Sequence, residues 1–180
     1  RPAAPDFALI WDNAYCLHEV YGQFVPFRDM LTLCREAGNA DMVYEFASTS
    51  KITFPGAGVA VMAASEANLK YLSGLLGAQT ISYDKVNQLR HVRFLQDKAH
   101  VLELMQRHAA ILRPKFEAVL AALRGIAPLG IASWTEPKGG YFISCDAMPG
   151  TAKRVLALCA EAGVTMTPAG ATYPGGNDPA

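Results

Sequence analysis

STSKITFPG, residues 48–56, places Lys51 among small hydroxyl residues, between an apolar segment typical of a strand and a Gly/Pro turn. A lysine amine must be partly desolvated to act as a nucleophile at neutral pH, and hydroxyl groups beside it can bind an anion. Most lysines are solvated surface residues, so this segment alone does not assign a role to Lys51. A second motif upstream changes that assessment.

The upstream motif is Asp12-Asn13-Ala14-Tyr15, which follows the apolar run from Phe7 to Trp11. Such a run predicts a buried parallel strand. Open α/β sheets bind ligands at the C-terminal ends of their strands, so Asp12 lies where a ligand is expected. The motif also has an ordinary interpretation, in which Asp12 caps the next helix and Tyr15 packs in the core.

Together the two motifs resemble the signature of the fold type I pyridoxal-phosphate aminotransferases, an α/β class. The runs Ser48–Ala60 and Ser82–His91 are similar to the MocR-like subgroup of aspartate aminotransferases. Pyridoxal phosphate needs an anion at its ring nitrogen, a donor to its phenolate oxygen, a phosphate cradle and a lysine. These roles are expected, in that order, of Asp12, Tyr15, Ser48 with Ser50, and Lys51, which is also the expected catalytic residue.

One position departs from the family pattern. These enzymes commonly carry an arginine seven or eight residues after the lysine, paired with the cofactor phosphate, whereas this chain has Gly58 there. A glycine provides no guanidinium for such a pair. We therefore expect the phosphate to be held by Ser48, Ser50, backbone N–H groups and groups outside residues 1–180.

The resemblance also implies a homodimer. In related enzymes the segment after the helix predicted at 65–76 lies at the dimer interface, near the partner's active site. Gln79, Thr80 and Tyr83 are then candidates to approach the neighbouring cofactor phosphate. Asn87 and Arg90 have two open interpretations, a place at that interface or a role in stabilising the loop and the start of the following helix.

The chain is predicted to hold two domain portions. Residues 1–125 are expected to be the C-terminal part of a large cofactor-binding domain with its long connecting helix, and residues 126–180 part of a small α+β C-terminal domain. Helices are predicted at 29–37, 65–76 and 151–162, and residues 84–124 are predicted to be mostly helical with a kink at Pro114. Strands are predicted at 7–11, 43–47, 58–63, 164–167, and in a hairpin of 131–135 with 140–144.

Composition excludes several classes of function. Sixteen basic residues balance sixteen acidic ones, so no charge surplus indicates nucleic-acid or membrane binding. Four scattered cysteines indicate reduced thiols in a cytoplasmic protein, and no spacing indicates a metal site. The three histidines of the long helical segment are interpreted as surface or capping groups, namely His91, His100 and His108.

The resemblance implies transfer of an amino group between L-aspartate and 2-oxoglutarate, with amino-acid and 2-oxo-acid substrates. An alternative is the ligand-sensing domain of a MocR-type transcription regulator, and a third is a catalytically silent structural domain. In the family, the arginine that binds the substrate carboxylate follows the region of Pro168, and the N-terminal half contributes further cofactor contacts. We therefore expect residues 1–180 to be part of a longer enzyme and inactive in isolation.

Overall fold

A computed structural model of the chain describes residues 4–176. These residues form two compact units, the first ending at Ala110 and the second beginning at Ile111. This division falls inside a long helix, whereas the sequence places the domain boundary at 125/126. The assignment of the two portions to a large and a small domain stays a prediction.

The first unit is built on a three-stranded sheet in the order β1-β2-β3. Its strands are β1 (Leu9–Asp12), β2 (Val43–Ser48) and β3 (Ala60–Ala64). β1 and β2 are parallel, with Leu9 opposite Val43 and Asp12 opposite Phe46. β2 and β3 are antiparallel, so the chain turns back between Ser48 and Ala60. Asp12 and the segment after Ser48 therefore emerge at the same edge of the sheet.

Three helices of this unit begin at polar caps that the sequence supplies. Helix α1 (Met30–Glu36) begins after Asp29, helix α2 (Glu66–Gln79) after Ser65, and helix α3 (Lys85–Leu95) after Asp84. In each case the cap side chain accepts a hydrogen bond from a backbone N–H of the first turn, which has no partner within the helix. A short 3-10 helix, Ala40–Met42, leads into β2.

Residues 84–124 are mostly helical, as predicted, and the structure divides them into α3 and α4 (Lys98–Ile126). Gln96 adopts a φ of 55°, a left-handed conformation that ends α3. Asp97 then accepts the backbone N–H of His100 at 3.0 Å and so caps the start of α4. Helix α4 continues through Pro114, which is therefore not a helix boundary.

The second unit contains the C-terminal part of α4, a 3-10 helix (Ala127–Leu129), strands β4 (Ala132–Trp134) and β5 (Cys145–Ala147), and helix α5 (Ala152–Glu161). A further 3-10 turn spans Pro174–Gly176. β4 and β5 pair antiparallel, with Trp134 opposite Cys145. Among residues 4–176, no helix is both long and apolar enough to cross a membrane.

Two strand predictions in this unit are wrong. The second arm of the hairpin is Cys145–Ala147 rather than 140–144, since Gly140 has a φ of 76°, which is incompatible with a strand. Ser144 lies just before β5, and its carbonyl accepts the N–H of Thr135, so the contact between the two arms reaches no further toward Gly140 than this residue pair. Residues 164–167 form no strand, because no segment among the described residues pairs with them.

Helix α4 buries a narrow apolar stripe. Met105, Ala109, Phe116 and Leu120 are each no more than 5% exposed, and they recur near the 3.6-residue period. Val119, beside Leu120 in sequence, is 49% exposed and lies on another face. Of the apolar residues that recur along α4, the residues of this stripe are therefore the ones that belong to the hydrophobic core.

Leu120→Ala is expected to lower the free energy of unfolding by about 2–5 kcal/mol, because it removes a buried side chain and leaves a cavity. Val119→Ala is the matched control and should change that free energy by no more than about 0.5 kcal/mol. Urea unfolding of the two variants measures both values. Equal losses in the two variants would contradict the assignment of faces on α4.

Candidate functional site

Asp12 is the last residue of β1, and its side chain is exposed at the edge of the sheet. Its Oδ1 accepts the N–H of Ala14 at 3.1 Å, which closes a local turn. The next α-helix begins only at Met30, so Asp12 does not cap it. Asn13 donates its backbone N–H to Phe46 at 2.7 Å and its side-chain amide to Glu45 at 2.8 Å. The turn that carries Asp12 is therefore attached to β2.

Thr49 anchors the loop that carries Lys51. Its N–H donates to the carbonyl of Val59 and its Oγ1 accepts the N–H of Val59, both at 2.9 Å. Its carbonyl accepts the N–H groups of Ile52 at 2.9 Å and Thr53 at 2.8 Å. Lys51 thus lies within one turn whose backbone is fixed at Thr49. The sequence predicts a partly desolvated amine for Lys51. In the structure Lys51 is instead an exposed residue.

Helix α3 supports this loop through two polar side chains. His91 places Nε2 at 3.0 Å from Oγ1 of Thr49 and 2.9 Å from Oγ1 of Thr53. Its Nδ1 lies 2.9 Å from the carbonyl of Asn87, and since a carbonyl only accepts, Nδ1 carries a proton. In the neutral ring Nε2 then accepts a threonine hydroxyl hydrogen. The interpretation of His91 as a surface or capping group is therefore wrong.

Asn87 holds the far side of the same loop. Its side-chain amide donates to the carbonyl of Ala57 at 2.9 Å and reaches that of Gly58 at 3.4 Å. Its backbone N–H donates to Asp84 at the start of α3. These contacts favour the loop-stabilising interpretation of Asn87. Arg90 lies beside His91 in the lining of an open cavity of about 250 Å³.

Tyr15 lies in the turn after Asp12 and packs against His18. The two rings are in an edge-to-face arrangement, with centroids 5.2 Å apart and planes at 76°. His18 is only 2% exposed, and its Nε2 lies 3.2 Å from the carbonyl of Lys51. Burial lowers the pKa of His18, and it outweighs the carbonyls of Lys51 and Tyr15, which favour the charged ring. The imidazole is therefore neutral at pH 7.

The structure brings together most of the predicted site residues. Ser48 ends β2, Ser50 precedes Lys51, and His18 links the Asp12–Tyr15 turn to the backbone of Lys51. Ser48 Oγ accepts the N–H of Ser50 at 3.4 Å. The residues proposed for a partner's site lie instead near the end of α2, where Thr80 bonds Ser82 and Tyr83 is 57% exposed. Their role in a dimer stays a prediction.

Gly58 packs closely against the loop of Lys51. A Cβ atom at this position would lie 3.0 Å from Oγ and 3.2 Å from N of Ser50, and 3.3 Å from Oγ1 of Thr49. Contacts this short leave no space for a side chain without displacing the loop. The glycine at position 58 thus allows the backbone of residues 57–59 to approach Ser50.

Sequence reasoning missed the residues that hold the lysine loop. His18, Thr49, Thr53 and His91 form hydrogen bonds across 33 to 42 residues of sequence, and no local periodicity indicates such pairs. The hydroxyl-rich composition of residues 48–53 is the one signal that was present. That composition predicts anion binding, whereas the hydroxyls of Thr49 and Thr53 are bonded to His91.

Three buried polar atoms in the described chain have no hydrogen-bond partner: Nε1 of Trp11, Oδ1 of Asn13 and Oδ1 of Asn87. Such atoms usually acquire a partner from water, a ligand or another chain segment. Trp11 and Asn13 flank Asp12, and Asn87 contacts the lysine loop. No group of three or more His, Cys, Asp and Glu residues within 4–176 is arranged to hold a metal.

The sequence model of a family described as aspartate amino-transferase matches residues 1–180. The chain belongs to the aspartate amino-transferase family. A Mycolicibacterium smegmatis protein, provisionally named an aminotransferase, is 49% identical over 178 residues, which cover 98% of this chain and 42% of that protein. The chain thus spans less than half the length of the relatives it matches.

Solved structures of aminotransferases confirm the fold. The crystal structure of an aspartate transaminase from Corynebacterium glutamicum superposes with a TM-score of 0.94 at 47% identity, over 99% of this chain and 42% of that one. LysN, the α-aminoadipate aminotransferase of Thermus thermophilus, superposes with a TM-score of 0.70 at 26% identity, over 91% of this chain and 41% of that one. The predicted α/β fold of the fold type I class is therefore confirmed.

Gly58→Ala is expected to lower the free energy of unfolding by about 1–3 kcal/mol, because the added methyl crowds Ser50 and Thr49, which must then move by a few tenths of an ångström. Gly74→Ala is the matched control. It lies within α2 with no atom within 4 Å of the added Cβ, so it should raise that free energy by about 0.5–1 kcal/mol. Thermal or urea unfolding gives both signs, and a stabilised Gly58→Ala protein would show that the loop does not pack as described.

Proposed function

We propose that this chain carries the lysine-bearing part of the pyridoxal-phosphate site of an aminotransferase. One observation carries the proposal: parallel pairing of β1 with β2 puts Asp12 and the Lys51 loop at one edge of the sheet. The C-terminal edge of parallel strands is where ligands bind in open α/β sheets. Similarity to a structure complexed with N-(5'-phosphopyridoxyl)-L-leucine supports the choice of cofactor.

The residues present fit this cofactor. One carboxylate, one lysine and two serine hydroxyls lie on neighbouring turns, matching the ring nitrogen, the aldehyde and the phosphate. The absence of a side chain at Gly58 keeps the backbone N–H of Ser50 within a compact turn, as a phosphate-binding loop requires. The buried Oδ1 of Asn13, next to Asp12, is an acceptor without a partner in the described residues.

Each residue has a distinct proposed role. When bound, pyridoxal phosphate supplies an electron sink for the carbanion formed at the substrate Cα. Lys51 would hold the cofactor covalently and, once the substrate amine displaces it and frees its own amine, would move the proton at Cα, first as base and then as acid. Asp12 would offer its carboxylate to the ring N–H, and Tyr15 would donate its hydroxyl to the phenolate oxygen. Ser48 and Ser50 would bind the phosphate.

We further propose L-aspartate and 2-oxoglutarate as substrates, in a cytoplasmic homodimer of the MocR-like subgroup. Support for aspartate comes from the Corynebacterium glutamicum transaminase, which is 47% identical. No residue described above selects a second carboxylate, so substrate choice depends on groups outside the site of Asp12 and Lys51. The shortage of positive charge at Ser48 and Ser50 likewise makes the phosphate site dependent on further donors.

Lys51 is expected to carry the cofactor in the full-length protein. Borohydride reduction of the cofactor-loaded protein, followed by peptide mapping, should label Lys51, and Lys51→Ala should remove both the label and transamination. Lys85 and Lys138 provide internal controls, because neither lies in the loop between β2 and β3. A label on either of them would overturn the assignment.

Asp12→Ala is expected to reduce turnover far more than cofactor occupancy. Without a carboxylate beside it, the ring nitrogen loses its proton and the electron sink weakens. Turnover of aspartate is measured at saturating pyridoxal phosphate, with occupancy determined by absorbance. Asp6→Ala, a change before β1, is the control. If Asp12→Ala saturated with pyridoxal phosphate turns over aspartate at nearly the wild-type rate, Asp12 does not assist the cofactor. Its role is then limited to the hydrogen bond that closes the turn at Ala14.

A further inference from the structure

His18 is a buried side chain that joins two parts of the site. It lies in the segment after β1, three residues beyond Tyr15, and its ring reaches the backbone of Lys51 across 33 residues of sequence. Val20, two residues after His18, is 0% exposed, and Ile52, which follows Lys51, is 8% exposed. The contact is therefore partly shielded from water, and a hydrogen bond in such surroundings is stronger than one at the surface.

The contact determines what His18 can do. Nε2 lies 3.2 Å from the carbonyl oxygen of Lys51, and this is a hydrogen bond when Nε2 carries the proton, because a carbonyl only accepts. The same ring presents an edge-to-face contact to Tyr15. A movement of the His18 ring would therefore change the contacts of both Lys51 and Tyr15. The imidazole is buried beneath the loop, so it does not itself reach a bound substrate.

We propose that His18 is a positioning residue, which fixes the backbone of Lys51 relative to Tyr15 and thereby sets the approach of the lysine amine to the cofactor. This proposal rests on the proposed function of Lys51. His91 and Asn87 restrain the loop from the side of α3, through Thr49, Thr53 and the carbonyls of residues 57 and 58, whereas His18 contacts the carbonyl of Lys51 itself. Loss of the His18 contact therefore leaves the loop attached to α3 and removes one restraint on the backbone of Lys51.

The substitutions separate the hydrogen bond from the packing. In His18→Gln the side-chain amide nitrogen takes the place of Nε2 and can still donate to Lys51. His18→Leu fills the space without a donor, and His18→Asn, whose amide is too short to reach, serves if the leucine variant does not fold. His100→Gln is the control, because His100 is exposed on α4 and bonded to Asp97.

The experiment uses the full-length protein in two forms. In the cofactor-free form, hydrogen exchange of residues 49–53 should be faster in His18→Leu and unchanged in His18→Gln and His100→Gln. In the loaded form, the pH dependence of the visible absorbance should shift only in the leucine or asparagine variant. The kcat of that variant should fall roughly 10- to 100-fold with little change in KM, as for a misplaced catalytic group.

The outcomes distinguish the two proposals. If wild-type protein gives no borohydride-reducible link at Lys51, the proposed function fails whatever the His18 variants do. If the link forms and His18→Leu matches wild type in exchange, absorbance and kcat, His18 does not position Lys51. If His18→Gln is as impaired as His18→Leu, the hydrogen bond to the Lys51 carbonyl is not the cause, and the proposal is overturned.

Discussion

The parallel pairing of β1 with β2 is the constraint on which the site depends. Its register sets Asp12 opposite Phe46, two residues before the end of β2. A shift of one residue would turn the side chains of β1 to the opposite face of the sheet. The hydrogen bond from Asn13 to Phe46 extends the ladder past the end of β1 and fixes the turn that carries Asp12. Backbone pairing therefore brings Asp12 and the segment that follows Ser48 to the same end of β1 and β2.

The loop of Lys51 is held by polar groups rather than by apolar packing. Thr49 uses its N–H, its carbonyl and its hydroxyl, and His91 and Asn87 add contacts from α3. A typical buried hydrogen bond contributes only about 1 kcal/mol net, but an unsatisfied partner costs more. Replacing Thr49, His91 or Asn87 is thus expected to destabilise the loop by more than about 1 kcal/mol for each hydrogen bond removed, because each replacement leaves a partner unsatisfied. Such a network favours one loop geometry, as the proposed covalent cofactor site requires.

The sequence predicted the elements near the site better than the second unit. The apolar runs before Asp12 and Lys51 are local signals, and both became strands of the first sheet. The capping residues Asp29, Ser65 and Asp84 likewise act over three residues. By contrast, the end of α3 depends on the backbone conformation of Gln96, and the start of β5 on that of Gly140. Neither conformation is determined by residue type or by hydrophobic periodicity.

The side chains that support the site were harder to predict than those that form it. Asp12, Tyr15 and Lys51 stand out because a carboxylate, a phenol and an amine at strand ends indicate chemistry. His18 and His91 are isolated histidines in sequence, and only the packing of three segments gives them partners. In the sequence, Gly58 stands out because an arginine is expected near this position. Its close approach to Ser50 is apparent only in three dimensions.

The most direct test of this account is a crystal structure of the full-length protein with pyridoxal phosphate bound. The account predicts continuous electron density from Nζ of Lys51 to the cofactor, with a carboxylate oxygen of Asp12 at hydrogen-bond distance from the ring nitrogen. The phosphate should lie against Ser48 and Ser50. A cofactor linked to another lysine, or a ring nitrogen facing any group other than Asp12, would contradict the claim that the β1–β2 edge forms the site.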